Sequence, residues 1–217
     1  MTTQTTLAAV ADFHSVVQSR RSVRRYEPDF RIPREELETI IERAAKAAPS
    51  SSNMQPWRFL VVTDPELKQR MLPVANNQQQ VVNASAVLVL LADKQMYEKA
   101  DEIYGAARDA GYMTEELSRQ FAENSRRTYS SIPAERLLEI IVFDAGLVAM
   151  QLMLQARAMG YDTVPMGGYN REALRELLAI PDRYHPTILL PIGKAAVPGH
   201  PTARLPISGL TYWNTIE

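Results

Sequence analysis

Residues 133–159 read Pro-Ala-Glu-Arg-Leu-Leu-Glu-Ile-Ile-Val-Phe-Asp-Ala-Gly-Leu-Val-Ala-Met-Gln-Leu-Met-Leu-Gln-Ala-Arg-Ala-Met, followed by Gly160. The spacing is helical, and from Ile140 to Leu154 the helix is apolar on nearly every side, which a surface helix of a monomer does not tolerate. This stretch therefore predicts a helix at the centre of the fold or at a subunit interface. Gly160 ends it in the left-handed position that favours glycine. Downstream, Thr163 to Met166 and Thr187 to Ile192 read as strands on either side of a short helix capped by Asn170. After Gly193 the chain carries Pro198, Pro201 and Pro206 with little periodicity, so residues 195–217 are expected to run extended. Tyr212 and Trp213 in that tail need a surface to cover them, and the expected surface is a partner subunit.

Upstream, Asp93 to Tyr129 is polar and helical with Tyr and Phe interleaved, an excursion suited to covering a pocket. Ser85 to Leu91 is a continuous apolar run, which predicts a strand covered on both faces. Phe59 to Thr63 reads as another strand, closed by Asp64-Pro65-Glu66 as a helix cap and start. Pro33 stands at a first helical position, with Glu35 and Glu36 in the first turn. Leu37, Ile40, Ile41, Ala44, Ala45 and Ala48 then recur at helical spacing until Pro49. Few strands among many helices predict a mixed α/β fold, a small central sheet wrapped by helices. With no repeat, linker or low-complexity tract, residues 1–217 are expected to form one domain.

The 217 residues are 46% apolar and 23% charged, enough for a substantial core. A formal charge of −1, from 24 Lys plus Arg against 25 Asp plus Glu, provides no overall field for a nucleic acid, so any anion site is local. Without cysteine, a disulfide framework, a thiol nucleophile and a thiolate metal site are all excluded, and the cytoplasm is the expected compartment. Met1 to Ala11 lacks the pattern of a targeting segment, and the longest uninterrupted apolar run, Ala86 to Ala92, is too short to span a bilayer. No membrane association is expected. His14, His185 and His200 lack metal-ligand spacing, and neither a Ser-His-Asp pattern nor Gly-x-Gly-x-x-Gly is present.

Four segments carry candidate chemistry. Arg20, Arg21, Arg24 and Arg25 surround Ser22 in the densest charge of the chain. A helix ending near Arg20 would favour cations by its dipole, leaving the rest a solvated face. Alternatively, guanidinium forks and a serine hydroxyl suit a phosphate. The cluster alone does not decide. Pro49-Ser50-Ser51-Ser52-Asn53-Met54-Gln55-Pro56-Trp57 has turn composition, but Asn53 and Gln55 carry the paired donors and acceptor that read a heterocycle edge. Asn77 and Gln80 repeat that chemistry. Met166-Gly167-Gly168 is either a simple turn or a place where backbone approaches a flat ligand.

Taken in order, Arg-Arg-Ser-Val-Arg from Arg20, Pro-Ser-Ser-Ser-Asn-Met-Gln-Pro-Trp from Pro49, Asn77 with Gln80, Pro-Met-Gly-Gly-Tyr from Pro165, Pro-Ile-Gly-Lys from Pro191 and Ala-Arg-Leu-Pro from Ala203 form a specific series. The chain resembles the FMN-dependent nitroreductase family, in its branch of small bacterial NAD(P)H-dependent nitro and quinone reductases. The resemblance implies a nitroreductase-like fold and an intertwined homodimer with two FMN sites. It also implies ping-pong transfer of two electrons from NAD(P)H to a small-molecule nitroaromatic or quinone acceptor. It assigns Arg20, Ser22 and Arg204 to the FMN phosphate, with Arg21 helping through its backbone, and Arg24 to the pyrimidine end or ribityl chain. Ser50, Ser51 and Asn53 would reach FMN from the neighbouring subunit, and Gln55 from either direction. Asn77 and Gln80 would bond the pyrimidine edge. Pro165, Met166, Gly167 and Gly168 would pass beside the ring, with a backbone N–H near Gly167 at flavin N5. Some members carry lysine where this chain has Gln80, and a second basic residue where it has Thr202. No residue is implied to be a nucleophile or a metal ligand. The rival expectation is a flavin carrier without turnover, or an interaction module built on the arginine patch.

Overall fold

Strand β2 (Ala86–Asp93) lies inside the molecule with every residue buried. In the computed structural model, which describes residues 12–216, its side chains alternate between two separate cores. Ala86, Leu88 and Leu90 face one cluster with Leu37, Ile40 and Ala44 of α2 (Arg34–Ala47) and Val148 and Leu152 of α7 (Ala134–Ala158). Val87, Val89 and Leu91 face the other, with Met71 of α3 (Pro65–Val74) and Leu174 of α8 (Arg171–Leu177). Covering both faces explains the unbroken apolar run. Each such side chain, fully buried, contributes about 1.5–3 kcal/mol of transfer free energy.

The sheet is antiparallel in the order β1 (Trp57–Val62), β2, β4 (Tyr184–Gly193), β3 (Asp162–Thr163). Trp57 to Val62 of β1 oppose Ala92 to Val87, and β4 (Tyr184–Gly193) flanks β2 on its other side. The register shifts at Leu90/Leu91, where Pro186 has no N–H to give and the Thr187 hydroxyl donates to Leu90 O at 2.9 Å. The strand expected over Thr163–Met166 is shorter: β3 is Asp162–Thr163. Pro165 interrupts its ladder, which resumes as one bridge between Met166 and Leu189.

The helices follow their sequence signals closely. Asp64 caps α3 by accepting from Leu67 N, and Asn170 caps α8 by accepting from Ala173 N. Pro33, expected as the first helical residue, is the N-cap of α2. A first helix, α1 (Phe13–Ser19), ends with Arg20 as its C-cap. A four-residue α4 (Gln80–Asn83) precedes β2. The excursion comprises a 3-10 turn at Met96–Lys99, α5 (Ala100–Asp109) and α6 (Glu115–Ser131). Its base is fixed by buried Asp93, which accepts from Arg58 at 2.9 Å and Arg183 at 2.7 Å.

Helix α7 stops at Met159, with Gly160 at φ 84°. By length and composition it could cross a membrane. Here it is a core helix whose remaining apolar face, with Val142, Phe143 and Met150, is uncovered in the protomer; Phe143 is 64% exposed. The C-terminal segment leaves β4 beside Tyr26, and residues 200–216 are all exposed, with a single 3-10 turn at Ile207–Gly209.

Candidate functional site

The segment after α1 runs along the short edge of the sheet. Ser22 pairs with Thr163 in parallel fashion, and Val23 N donates to Thr163 O at 3.1 Å. Tyr26 pairs with Ala195, its hydroxyl donating to Pro191 O at 3.1 Å, and Ala196 N donates to Arg25 O at 2.9 Å. The arginine segment is thus held between β3 and the start of the tail. Gly199 makes that packing possible: a Cβ there would stand 2.5 Å from Arg21 Cβ and 3.1 Å from Ser22 O. A cleft of about 300 Å³ lies between the two, lined by Ser22, Arg24, Arg25, Val197, Gly199 and His200.

Arg21 donates to Gln18 O at 2.5 Å and Arg20 O at 2.8 Å, while Arg204 donates to Ala203 O at 2.8 Å. Among the described residues none of Arg20, Arg21, Arg24, Arg25 and Arg204 meets a carboxylate. Unneutralised guanidinium groups beside a serine are the donor set a phosphate requires. The Thr163 hydroxyl, buried against this segment, has no hydrogen-bond partner.

Two residues beyond Thr163, Pro165 to Gly168 form the next wall. Gly168 O accepts from Asn76 Nδ2 and from Gln78 Nε2, both at 3.0 Å. Gln80 is buried, and its Nε2 donates to Gln78 Oε1 at 2.9 Å while contacting Met166 Sδ at 3.6 Å. Asn76 and Asn77 adopt left-handed backbone, at φ 55° and 57°. Gly167 is exposed with open space where a Cβ would be, which leaves its backbone accessible to a flat ligand. The amide loop and the glycine turn are therefore stitched together. Asn76 and Gln78, which do the stitching, were not singled out in the sequence; the signal was the whole run Asn76 to Gln80.

The serine loop lies elsewhere. Ser51–Asn53 form a 3-10 turn in which Ser52 (φ 49°) and Asn53 (φ 55°), then Gln55 (φ 47°), are left-handed without being glycine. Each such residue costs on the order of 1–3 kcal/mol unless its surroundings hold it. Ser50 Oγ accepts from Gln55 N at 3.0 Å, and the Gln55 amide donates to Asn53 O at 3.3 Å. Ser51 is bonded to Asp144 of α7, and Ser52 to Tyr104 and Tyr129 of the excursion. A cleft of about 230 Å³, lined by Met54, Gln55, Arg58 and Ile103, opens between this loop and α5.

Strand register separates the two groups. The serine loop enters β1 at Trp57, opposite Ala92, whereas Ser22 bridges Thr163, opposite Ile192, which itself faces Ala86. At about 3.4 Å per residue, Ala86 to Ala92 spans roughly 20 Å. One protomer carries Ser22 and its flanking arginines level with Ala86 and, further along the same edge, Met166 level with Val89, with Gln80 against it and Asn77 between the two residues that bond Gly168. It leaves Ser50, Ser51, Asn53 and Gln55 at the other end of the sheet, and Arg204 on the exposed tail. Among the described residues no group of three or more His, Asp or Glu is arranged to hold a metal.

Known proteins share this sequence and architecture. The sequence profile of the nitroreductase family matches residues 17–194. YdgI of Bacillus subtilis, provisionally named an NAD(P)H nitroreductase, is 45% identical over 205 residues, covering 93% of this chain and 97% of YdgI. The CLA biosynthesis enone reductase of Lactiplantibacillus plantarum is 34% identical over 188 residues, covering 85% of this chain and 86% of the reductase. A provisionally named nitroreductase from Exiguobacterium sibiricum, solved in complex with FMN, is 42% identical with a TM-score of 0.90, covering 96% of this chain and all of that one. Sequence and mixed α/β architecture agree: the chain belongs to the nitroreductase family and has the nitroreductase fold.

Proposed function

We propose that this protein is an FMN-dependent oxidoreductase that works as a homodimer in the cytoplasm. The reading rests on one juxtaposition, an unneutralised arginine-serine segment running directly into a platform of glycine backbone and side-chain amides. That donor set fits FMN, with cations for the phosphate, amides for the pyrimidine edge and open backbone for the ring. When bound, FMN supplies the electron chemistry, accepting two electrons from NAD(P)H and delivering them to a nitroaromatic or quinone acceptor in ping-pong order.

The chain's own residues bind and orient. Arg20, Ser22 and Arg204 would hold the phosphate, with Arg21 contributing backbone, and Arg24 would place a positive charge near the pyrimidine end or the ribityl chain. Asn77 and Gln80 read that edge. Pro165 to Gly168 would flank the ring, with a backbone N–H near Gly167 available to N5. Ser50, Ser51, Asn53 and Gln55 lie at the end of the sheet roughly 20 Å along the strands from Ser22 within one protomer, and in this reading they serve the site of a second copy. The uncovered Phe143 face of α7 and the exposed Tyr212 and Trp213 supply apolar surface for that partner, on which the tail packs.

The test is the visible spectrum of the purified protein. A bound-flavin spectrum that bleaches under anaerobic NADH or NADPH and returns on adding a quinone or nitroaromatic is the expected result. A colourless protein that takes up no added FMN would contradict the reading. A yellow protein that neither nicotinamide bleaches would instead be a flavin carrier.

A further inference from the structure

Asp144 stands in the middle of α7, fully buried, and among the described residues no cation neutralises it. Its neighbours along the buried stripe, Ile141, Ala145 and Val148, are apolar. Both carboxylate oxygens accept from Ser51 N at 3.1 Å, and Oδ1 also accepts from Ser51 Oγ at 3.2 Å. The next residue is gripped from the opposite side: Tyr104 OH donates to Ser52 O at 2.7 Å, and Ser52 Oγ and Tyr129 OH lie 2.8 Å apart. Tyr104 OH also meets Ser125 Oγ at 3.1 Å, so α5 and α6 grip as one unit. Three side chains from three helices thus converge on two consecutive serines, at the point where the backbone turns left-handed without glycine.

A buried carboxylate costs the fold solvation, and an apolar residue would pack this position with less penalty. Packing therefore does not account for Asp144. The bonds it makes all go to one residue of the loop. We propose that Asp144, with Tyr104 and Tyr129, is a positioning set that holds the Ser50–Gln55 loop in the conformation that meets the flavin. This rests on the flavin reading given above. None of the three need touch the cofactor. Because two of the three grips belong to the excursion, the loop and α5–α6 are expected to respond together when either is displaced.

The test uses the full-length protein and the variants Asp144→Asn, Tyr104→Phe and Tyr129→Phe, each nearly isosteric. Two quantities are read: amide hydrogen exchange in a peptide covering residues 50–55, and binding of FMN and of riboflavin to the flavin-stripped protein. Losing a charge-assisted contact in Asp144→Asn should weaken FMN binding about tenfold, and each Tyr→Phe variant, losing its neutral hydrogen bond to Ser52, about fivefold. Riboflavin should weaken by the same factors, because the loop meets the ring and not the phosphate. Exchange at 50–55 should quicken in all three while β2 stays protected, which a general loss of stability would not produce. Unchanged exchange in Asp144→Asn would overturn the proposal, as would faster exchange with unchanged affinity for both flavins. If the wild-type protein binds neither flavin, the flavin reading fails, and the exchange measurement still decides whether Asp144 holds the loop.

Discussion

Asp144 carries a titration signature of its own. Burial pushes its carboxyl above the ordinary carboxylate range, and the hydrogen bonds from the Ser51 backbone and hydroxyl offset this only in part. A proton therefore binds the folded chain more tightly than the unfolded one. The stability this contributes is fully present below the ordinary carboxylate range and is lost as pH rises through the raised folded value. Asp144→Asn removes the titration, so the thermal midpoint of wild type relative to the variant should fall as pH rises across that window and level off above it. Parallel midpoint curves would show that Asp144 does not titrate differently in the fold. Gln80 is a second residue with a specific consequence. It is buried against Met166, where some family members carry lysine, and a cation there would favour the anionic reduced ring. Gln80→Lys should raise the flavin midpoint potential; an unchanged or lower potential would show that residue 80 does not face the pyrimidine edge.

Among the elements, the packing of the tail start on the arginine segment depends on Gly199. Its missing side chain admits Arg21 Cβ and Ser22 O, and two of the atoms met by an added Cβ are backbone, which cannot swing aside. Gly199→Ala should displace residues 197–200 from the arginines and weaken FMN by about tenfold, the scale of one charge-assisted contact, with little change in thermal midpoint. Equal affinity in a flavin-fluorescence titration would mean that the tail start does not shape the phosphate site. The long helix was legible from its apolar circumference, β2 from its unbroken apolar run, and α3 and α8 from their caps, because each depends on a local signal. The left-handed turn at Ser52, Asn53 and Gln55 was not legible. Ser52 is held there by Tyr104 and Tyr129, and its neighbour Ser51 by Asp144, all more than 45 positions away along the chain. Asn76 and Gln78 escaped notice for a similar reason, since their partner is a carbonyl 90 or more residues distant. The shortened β3 was readable in principle, because Pro165 cannot donate to a ladder.

At the scale of the whole molecule, the motifs were readable in order, but the separation of the serine loop from the arginine segment follows from strand register. Register is a property of the folded sheet, and only there does the serine loop separate from the arginine segment, as the proposed shared site requires. The phosphate assignment joins Arg20, at the end of α1, to Arg204 on the exposed tail. If both hold one phosphate, alanine at either position should cost about 1.5–3 kcal/mol of FMN binding, one to two orders of magnitude. The losses should be non-additive in a double-mutant cycle, whereas independent solvated arginines add within about half a kcal/mol. Riboflavin, lacking the phosphate, should bind nearly as before. Equal losses for both ligands, or none for FMN, would return Arg20 to the role of a helix-end cation.

The central claim is that each flavin site is completed by residues from two copies of the chain. Sedimentation velocity recorded at a wavelength where only flavin absorbs tests it directly, at protein concentrations down to about micromolar, an ordinary range of affinity. All of the flavin should sediment at the mass of a dimer, with one flavin per protomer, and free flavin should appear only as the dimer dissociates. A folded monomer that sediments with its flavin bound would contradict the shared site.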